Sequence, residues 1–570
     1  MTVPRTDLRF NFFGTGKIFD TAGGMRRRLI FNVVAAAVIF YSVFFVVHIA
    51  VSAFTGTQIP NEYREAANVD LTLSIIQGVN PYSLAALDGP RPGLVFQYGP
   101  LFSLLVAGVH FIVPFIDIIA LHYVVAFICV MTAAVMASVM AKENTETLLP
   151  CAVVFLFTIV CTWRYGYINA VPDTLGVTLL VLILFVETRR NLRGREFIEA
   201  FISVAVFYTK QYFVVIALSL FIYKLIIDKR ACIRLTVSGL ALLAVSVAAI
   251  HIWCPLYFTY SLLVVHGVSG QSTGAAAPVF SFVGLNGTSG VVAASEYNEP
   301  PSGWLFELQQ VKSLAGIFIF VFAGMAVSVI KAFRFRTPSF SGSRLFVIHS
   351  GVAALALLYL GQNDGAWLSY YLQILMPTVI IYTFISMEKI CLDDTLGKPY
   401  LMVCTGLFLL MVMFTVYRCD GRLPVYDKSD AVKRVWDTAY GYCGSYADEG
   451  EILYIAPLGF DALSNGRYLY DNGHEMAINE DFYEEYRRSS FYRMLFPYAG
   501  TVMEKHLAYR DEMRENVRHQ GYSLVTAVPG YETIADSALL KQSGYELIDT
   551  LTLDMGRTSY EVEFWAPMLL

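Results

Sequence analysis

The sequence has few charged residues and no regular repeat. Asp, Glu, Lys and Arg make up 15% of its 570 residues, whereas a soluble domain carries roughly 25%. The formal net charge is only −5, which argues against a nucleic-acid partner. The nine cysteines include no CxxC pair, so zinc-ribbon and thioredoxin-like sites are excluded. Without a repeat, nothing favours an inverted-repeat transporter.

Long apolar stretches stand where charge is missing. Hydrophobic residues make up 56% of the chain, and the mean hydropathy is +0.54. Runs of about 17–25 residues are long enough to span a membrane, and they lie at 29–53, 118–140, 149–168, 235–256, 311–331, 345–361, 367–387 and 400–417. Shorter runs predict broken, re-entrant or interfacial helices beside a wet cavity, and they lie at 100–114, 174–187, 197–209 and 211–227.

Basic loops between these runs predict the orientation of the chain. Arginines and lysines precede the first run and recur in three later loops, which we place in the cytoplasm by the positive-inside rule. The resulting organisation is a polytopic α-helical protein of the plasma (inner) membrane with about 11–13 spanning helices. Its predicted parts are a cytoplasmic N-terminus (1–28), a transmembrane domain (29–417), extracytoplasmic loops (54–99 and 257–310) and an extracytoplasmic α/β domain (418–570).

The last of these parts is more polar than the rest. Short strand-like stretches such as EILYIAPLG and YEVEFWAP alternate there with helical ones, which predicts a small α/β domain. Cys419 and Cys443 fall in this part, where they are either a disulfide or two free thiols.

Three acids, Glu62, Glu65 and Asp70, stand in EYREAANVD in the first predicted extracytoplasmic loop. A helix is expected over about 66–77, ended by the turn residues of GVNPYS. A carboxylate above a membrane cavity can remove a proton from an acceptor hydroxyl, as inverting glycosyl transfer requires. Alternatively, the acids belong to a solvated loop. Glu65 is the preferred base, with Glu62 and Asp70 as substitutes.

Charged groups also occur beside the short apolar runs. Asp173 follows Pro172 and is either a helix cap or a second acid that binds a hydroxyl, a metal or a basic group. Arg164 at membrane depth needs an anionic partner, either Asp173 or a lipid phosphate. Lys210 lies at a hairpin turn, where it either binds a lipid phosphate or extends to the interface. Gln211 beside it offers a further hydrogen bond.

Further candidates are polar and aromatic groups at the expected membrane surface. They form either a sugar- or acceptor-facing rim or a set of helix caps and interfacial aromatic residues. Asn363 and Asp364 are expected at the start of a helix. The whole set is Tyr82, Tyr98, His266, Asn363, Asp364 and Tyr371.

Several motifs of this sequence resemble those of one family. In chain order they are YREA, GVNPY, YGPLF, PD and TKQ, and twelve residues separate Glu65 of the first motif from Gly78 of the second. They are similar to those of integral-membrane glycosyltransferases of the GT-C superfamily, in particular the bacterial lipid A and lipopolysaccharide sugar transferases. Two departures stand out. Gly99 replaces the first of two prolines, and Gln373 in SYYLQ replaces an acid.

The resemblance implies transfer of a sugar from a polyprenyl-phosphate donor to a hydroxyl acceptor on a glycan, lipid or protein. It places Glu65 in the catalytic position and gives Lys210, with Arg164, the donor phosphate. Asp173 would orient the acceptor or bind a divalent cation, Mg or Mn. Two other functions stay open: a transporter or scramblase of lipid-linked sugars, and a non-enzymatic partner in glycan assembly.

Overall fold

The computed structural model describes most of the helical part of the chain and separate segments of the C-terminal part. The described residues are 22–55, 63–88, 99–165, 172–189, 191–264, 315–335, 340, 342–364, 372–393, 396–420, 441–442, 444–446, 450–455, 468–470, 484, 486–527, 536–554 and 559–568. The predicted loop 257–310 is therefore described only to residue 264, and Cys443 lies outside the described residues.

The first three quarters of the described chain are helical. Helices α1 to α13 are, in chain order, Ala22–Thr55, Tyr63–Ile76, Leu101–His110, Ile118–Asn144, Leu149–Tyr165, Asp173–Thr188, Arg195–Phe207, Val215–Ile227, Lys229–Trp253, Ala315–Phe335, Ser343–Asp364, Met376–Cys391 and Lys398–Asp420. Short 3-10 turns occupy Leu84–Asp88, Gln211–Val214 and Leu372–Ile374, and Thr259–Val264 forms a π-helical turn.

These helices match the apolar runs of the sequence. Among the described residues, three helical stretches are long and apolar enough to span a membrane: Gly24–Val51, Ile118–Asn144 and Lys229–Trp253. Shorter apolar helices follow the shorter runs, and α2 confirms the helix expected over about 66–77, although it begins earlier, at Tyr63. The fold class, a multi-pass helical protein, is thus confirmed, while the number of crossings and the domain boundaries stay predictions.

One predicted helix begins at the wrong place. The sequence predicts a helix over 367–387, but α12 begins at Met376, directly before Pro377. Proline has no backbone N–H and suits the first turn of a helix rather than its interior. Asn363 and Asp364, expected to begin a helix, instead form the end of α11.

The helices pack around a core of small and branched side chains. Helix α4 lies against α5 and α6, and α1 packs on α5. Ala133, Ala134 and Ala137 on α4 are fully buried, and such small residues allow close approach of membrane helices. This packing supports α6, whose first residue is Asp173.

The C-terminal part contains a five-stranded mixed sheet. Strands β1 to β5 are Ile452–Ile455, Tyr468–Tyr470, Leu524–Ala527, Tyr545–Asp554 and Ser559–Pro567, in the spatial order β2-β1-β3-β5-β4. Helices α14 to α16 are Ser490–Leu495, Ala499–Arg518 and Ser537–Gln542. β1 is parallel to β2 and β3, and β5 is antiparallel to β3 and β4. The α/β prediction is confirmed.

Candidate functional site

Asp173 begins α6 and is fully buried. The residue at the N-cap position is Pro172 rather than Asp173, so the interpretation of Asp173 as a helix cap is wrong. Its carboxylate instead accepts hydrogen bonds from side chains on two other segments of the chain. A buried carboxylate needs such partners because its desolvation is expensive.

The first partner is Lys210, at the turn between α7 and the 3-10 turn Gln211–Val214. Its Nζ lies 2.9 Å from Asp173 Oδ2 and 3.1 Å from Oδ1. Lys210 is only 4% exposed, so its ammonium does not extend to a solvated interface. The two charges form a buried ion pair across 37 positions of sequence.

Two neutral side chains also contact Asp173. The Tyr212 hydroxyl donates to Asp173 Oδ1, and Gln373 Nε2 donates to the same oxygen at 2.5 Å. Gln373 also hydrogen-bonds the Tyr212 hydroxyl. We call Asp173, Lys210, Tyr212 and Gln373 the Asp173 cluster. These four residues carry no net charge together. Because residue 373 is a glutamine rather than an acid, Asp173 is the single carboxylate among the four.

Close backbone contacts position the segment that carries Lys210. A β carbon on Gly99 would lie 1.8 Å from the backbone oxygen of Tyr208, and one on Gly176 would lie 2.2 Å from the Phe213 ring. Both distances are far below van der Waals contact, so only glycine fits. The structure thus accounts for Gly99 at the start of α3, and it shows that α3 and α6 both abut residues 208–213.

Helix α2, which contains Glu65, is held by α3 and α4. Thr72 Oγ1 lies 2.9 Å from His122 Nε2 on α4, and Ser103 on α3 donates to the Asn68 carbonyl at 3.3 Å. Asp70, on the same helix, is buried at 6% exposure, so it does not belong to a solvated loop. For Glu65 the structure describes the backbone in α2 only.

Tyr82 and Gln211 lie at a junction between the helical part and the C-terminal part. Tyr82 is buried, with its ring centroid 5.5 Å from that of Tyr257 and 6.4 Å from that of Tyr260. His506 on α15 stacks on Tyr260, and Gln211 Nε2 donates to the Ser261 backbone oxygen at 3.4 Å. Tyr82 therefore packs in an aromatic cluster beside the Lys210 turn.

Several candidates are not described. Glu62, Tyr98, His266 and Tyr371 lie outside the described residues. Only the backbone is described for Arg164, Asn363 and Asp364, in α5 and α11. Their assignment to the site stays a prediction.

A second buried charged group lies at the other end of α6. Lys224 contacts Glu187 and lies 3.2 Å from Glu199, while Arg195 lies 3.6 Å from Glu187. Glu187, Arg195 and Lys224 border a cavity of about 340 Å³. Since fourteen residues separate Asp173 from Glu187, the two groups are about 21 Å apart along the helix. Sequence reasoning missed this group, because Arg195 was assigned only to a basic loop. The other three members, Glu187, Glu199 and Lys224, lie within the short apolar runs.

Within the part of the chain that the structure describes, no group of three or more His, Cys, Asp or Glu side chains is placed to hold a metal ion. The divalent cation expected near Asp173 stays a prediction.

No protein-family model matches the sequence, and no curated protein matches it either. Solved structures do. ArnT from Cupriavidus metallidurans in the apo state has a TM-score of 0.50 at 11% identity, with 92% of this chain and 97% of that chain covered. The chain has the GT-C fold. The apo oligosaccharyltransferase of Archaeoglobus fulgidus also has a TM-score of 0.50, at 10% identity, with 90% and 73% covered. At such identity the likeness establishes the GT-C fold alone.

Proposed function

We propose that this chain is a membrane glycosyltransferase that moves a sugar from a polyprenyl-phosphate donor to a hydroxyl acceptor. In this proposal the transfer takes place on the extracytoplasmic side, inverts the anomeric carbon and uses Glu65 as general base. Its natural partners are the lipid-linked donor, a glycan, lipid or protein acceptor, and the surrounding membrane.

The Asp173 cluster carries the proposal. Three of its members come from PD, TKQ and SYYLQ, motifs separated by as many as 200 positions, and Tyr212 directly follows TKQ. On a GT-C fold they meet in one buried group that contains a lysine. A charged lysine at such depth is expensive and is usually retained for function, and a lipid phosphate is the anion that a glycosyl donor of this class supplies.

The proposed step is a single displacement. Glu65 takes the proton from the acceptor hydroxyl, whose oxygen attacks the anomeric carbon of the sugar. The bond between that carbon and the phosphate oxygen breaks, and the polyprenyl phosphate leaves with the electron pair. The Lys210 ammonium would stabilise this developing charge.

Asp173 would support this role through its pairing with Lys210. Both oxygens of the Asp173 carboxylate accept hydrogen bonds from the Lys210 ammonium, which fixes the direction of the ammonium. Tyr212 and Gln373 would stabilise the carboxylate, which keeps the ion pair intact after the product leaves.

The experiment replaces Glu65 with Gln and measures lipids and surface glycans by mass spectrometry. The transferase predicts accumulation of a polyprenyl-phosphate monosaccharide, which identifies the donor, and loss of nearly all transfer. Glu143→Gln is the matched control, because Glu143 is half-exposed and pairs with Arg189 at 2.6 Å away from this site. It should transfer normally.

The other two functions predict different results. A scramblase or an assembly partner would tolerate Glu65→Gln with no accumulated donor and an unchanged glycan. That outcome would remove Glu65 as the base and reject the proposed transfer step. NMR of the product anomer tests inversion separately.

A further inference from the structure

A buried histidine joins the two segments that meet at the Asp173 cluster. His349 on α11 is 0% exposed. Its Nδ1 lies 2.9 Å from the Ser219 hydroxyl on α8, and its Nε2 lies 2.8 Å from the Ile374 carbonyl oxygen. Sequence reasoning gave this residue no role.

The positions of these two contacts matter. Ser219 lies on α8, which continues directly from the 3-10 turn Gln211–Val214 that follows Lys210 and contains Tyr212. Ile374 is the next residue after Gln373, in the 3-10 turn Leu372–Ile374. His349 therefore links the segment of Lys210 and Tyr212 to the segment of Gln373.

The hydrogen-bonding groups determine how the imidazole works. A carbonyl oxygen only accepts, so Nε2 carries the proton and donates to Ile374. In the neutral ring Nδ1 is an acceptor. It lies 2.9 Å from the Ser219 hydroxyl, whose single proton can point to Nδ1 or to the Val215 carbonyl oxygen 2.7 Å away. The imidazole thus donates one hydrogen bond to Ile374 and contacts Ser219 on α8 through its other nitrogen.

Gln373 depends on this support. Its Nε2 donates to Asp173 and Tyr212, but its buried Oε1 has no hydrogen-bond partner among the residues that the structure describes. Within that part of the chain, the amide is thus held by hydrogen bonds through its Nε2 alone. Its approach to Asp173 is then determined by the backbone of a three-residue turn, and His349 anchors that turn at the adjacent carbonyl.

We propose that His349 is a positioning residue for the Asp173 cluster. It sets the distance between the Gln373 turn and the Lys210 turn, and so keeps the Asp173–Lys210 pair aimed at the donor phosphate. The proposal rests on the proposed function for the identity of that donor, while its structural part rests on the two His349 contacts alone.

The test compares two amide replacements of His349, each of which can retain a different one of its two contacts. His349→Gln can place an N–H near the position of Nε2 and so retain the bond to Ile374. His349→Asn reaches only the position of Nδ1 and so retains at most the contact with Ser219. Ser350→Ala is the matched control, because the buried Ser350 hydroxyl donates only within α11, to Phe346 at 2.8 Å.

The readouts are KM for the lipid-phosphate donor, KM for the acceptor, kcat and the affinity for undecaprenyl phosphate as a probe. His349→Asn should raise the donor KM and weaken probe binding about tenfold, as the loss of one buried hydrogen bond predicts. Acceptor KM should not change. In His349→Gln the donor KM and the probe affinity should stay within about threefold of wild type. In Ser350→Ala both should equal the wild-type values.

Several results would overturn the inference. A variant that merely unfolds loses active protein, which lowers the apparent kcat but changes neither KM. Equal losses in His349→Asn and His349→Gln with both KM values unchanged therefore indicate a packing role. The inference is also refuted if His349→Asn has the same donor KM and the same probe affinity as wild type. If His349→Asn does not fold, Ser219→Ala decides in the same way, with an expected donor KM about threefold higher.

The design separates this inference from the proposed function. If wild type binds undecaprenyl phosphate but transfers no sugar, the transferase proposal fails while probe affinity still decides the role of His349. If wild type does not bind the probe, the donor site is wrong and the inference fails as well.

Discussion

Replacement of Lys210 by Met gives the sharpest test of the site. The change removes the ammonium that lies 2.9 Å from Asp173 and leaves a carboxylate that is 0% exposed. Breaking a buried ion pair by removing one partner costs about 3–5 kcal/mol. The Tyr212 hydroxyl and Gln373 Nε2 still donate to Asp173, so we expect a loss near the lower limit, about 3 kcal/mol.

The double variant Lys210→Met with Asp173→Asn distinguishes ion pairing from loss of packing. With neither charge left, most of the penalty disappears, because neutral replacement of a buried pair is often tolerated. We expect the double variant within about 1 kcal/mol of wild type, and a coupling energy of at least about 2 kcal/mol.

The assay is unfolding of the purified protein in detergent, followed in parallel with donor turnover. The double variant should recover stability and still fail to transfer sugar, since the lysine is absent. A Lys210→Met variant with wild-type stability would refute the buried ion pair. Additive losses in the double variant would refute the coupling.

Two other predictions concern the backbone near the site and the C-terminal sheet. Gly99→Ala should destabilise the protein by about 1–3 kcal/mol, because its β carbon meets the Tyr208 carbonyl oxygen. Gly108→Ala in α3 should be neutral or stabilising, because no atom lies within 4 Å of an added β carbon. Thermal unfolding of both variants checks this contrast. Burial raises the pKa of the Tyr522 hydroxyl to about 12, so its contribution to stability is complete below pH 10 and is lost as the pH rises toward 12. Urea titrations over that interval should show a drop that is about 2–3 kcal/mol larger in wild type than in Tyr522→Phe, and equal drops in both would contradict it.

Much of the fold was predictable because the patterns that encode it are local. The length of an apolar run predicts whether a segment is helical and buried, and α1, α4 and α9 follow their runs closely. The C-terminal strands were recognisable as short β-branched and aromatic stretches between turns. The start of α12 was missed because the apolar run continues through Pro377, where composition hides the helix start.

The site was predictable only as a set of separate residues. Asp173, Lys210 and Gln211 stood out because charge and amide groups are unusual beside apolar runs. Tyr212 gave no such indication, since one tyrosine among many in a membrane chain is ordinary. His349 was equally hidden inside an apolar run.

By itself, the sequence determined that this chain is a helical membrane protein with a small α/β part and an ordered series of polar motifs. Only the tertiary structure decided that Asp173 pairs with Lys210 and contacts Gln373, 200 positions away. Helix packing brings these residues together, and packing depends on complementary surfaces across the whole chain rather than on any local pattern. Burial then gives the pairing its strength, because a carboxylate without water must take its hydrogen bonds from whichever side chains the fold supplies.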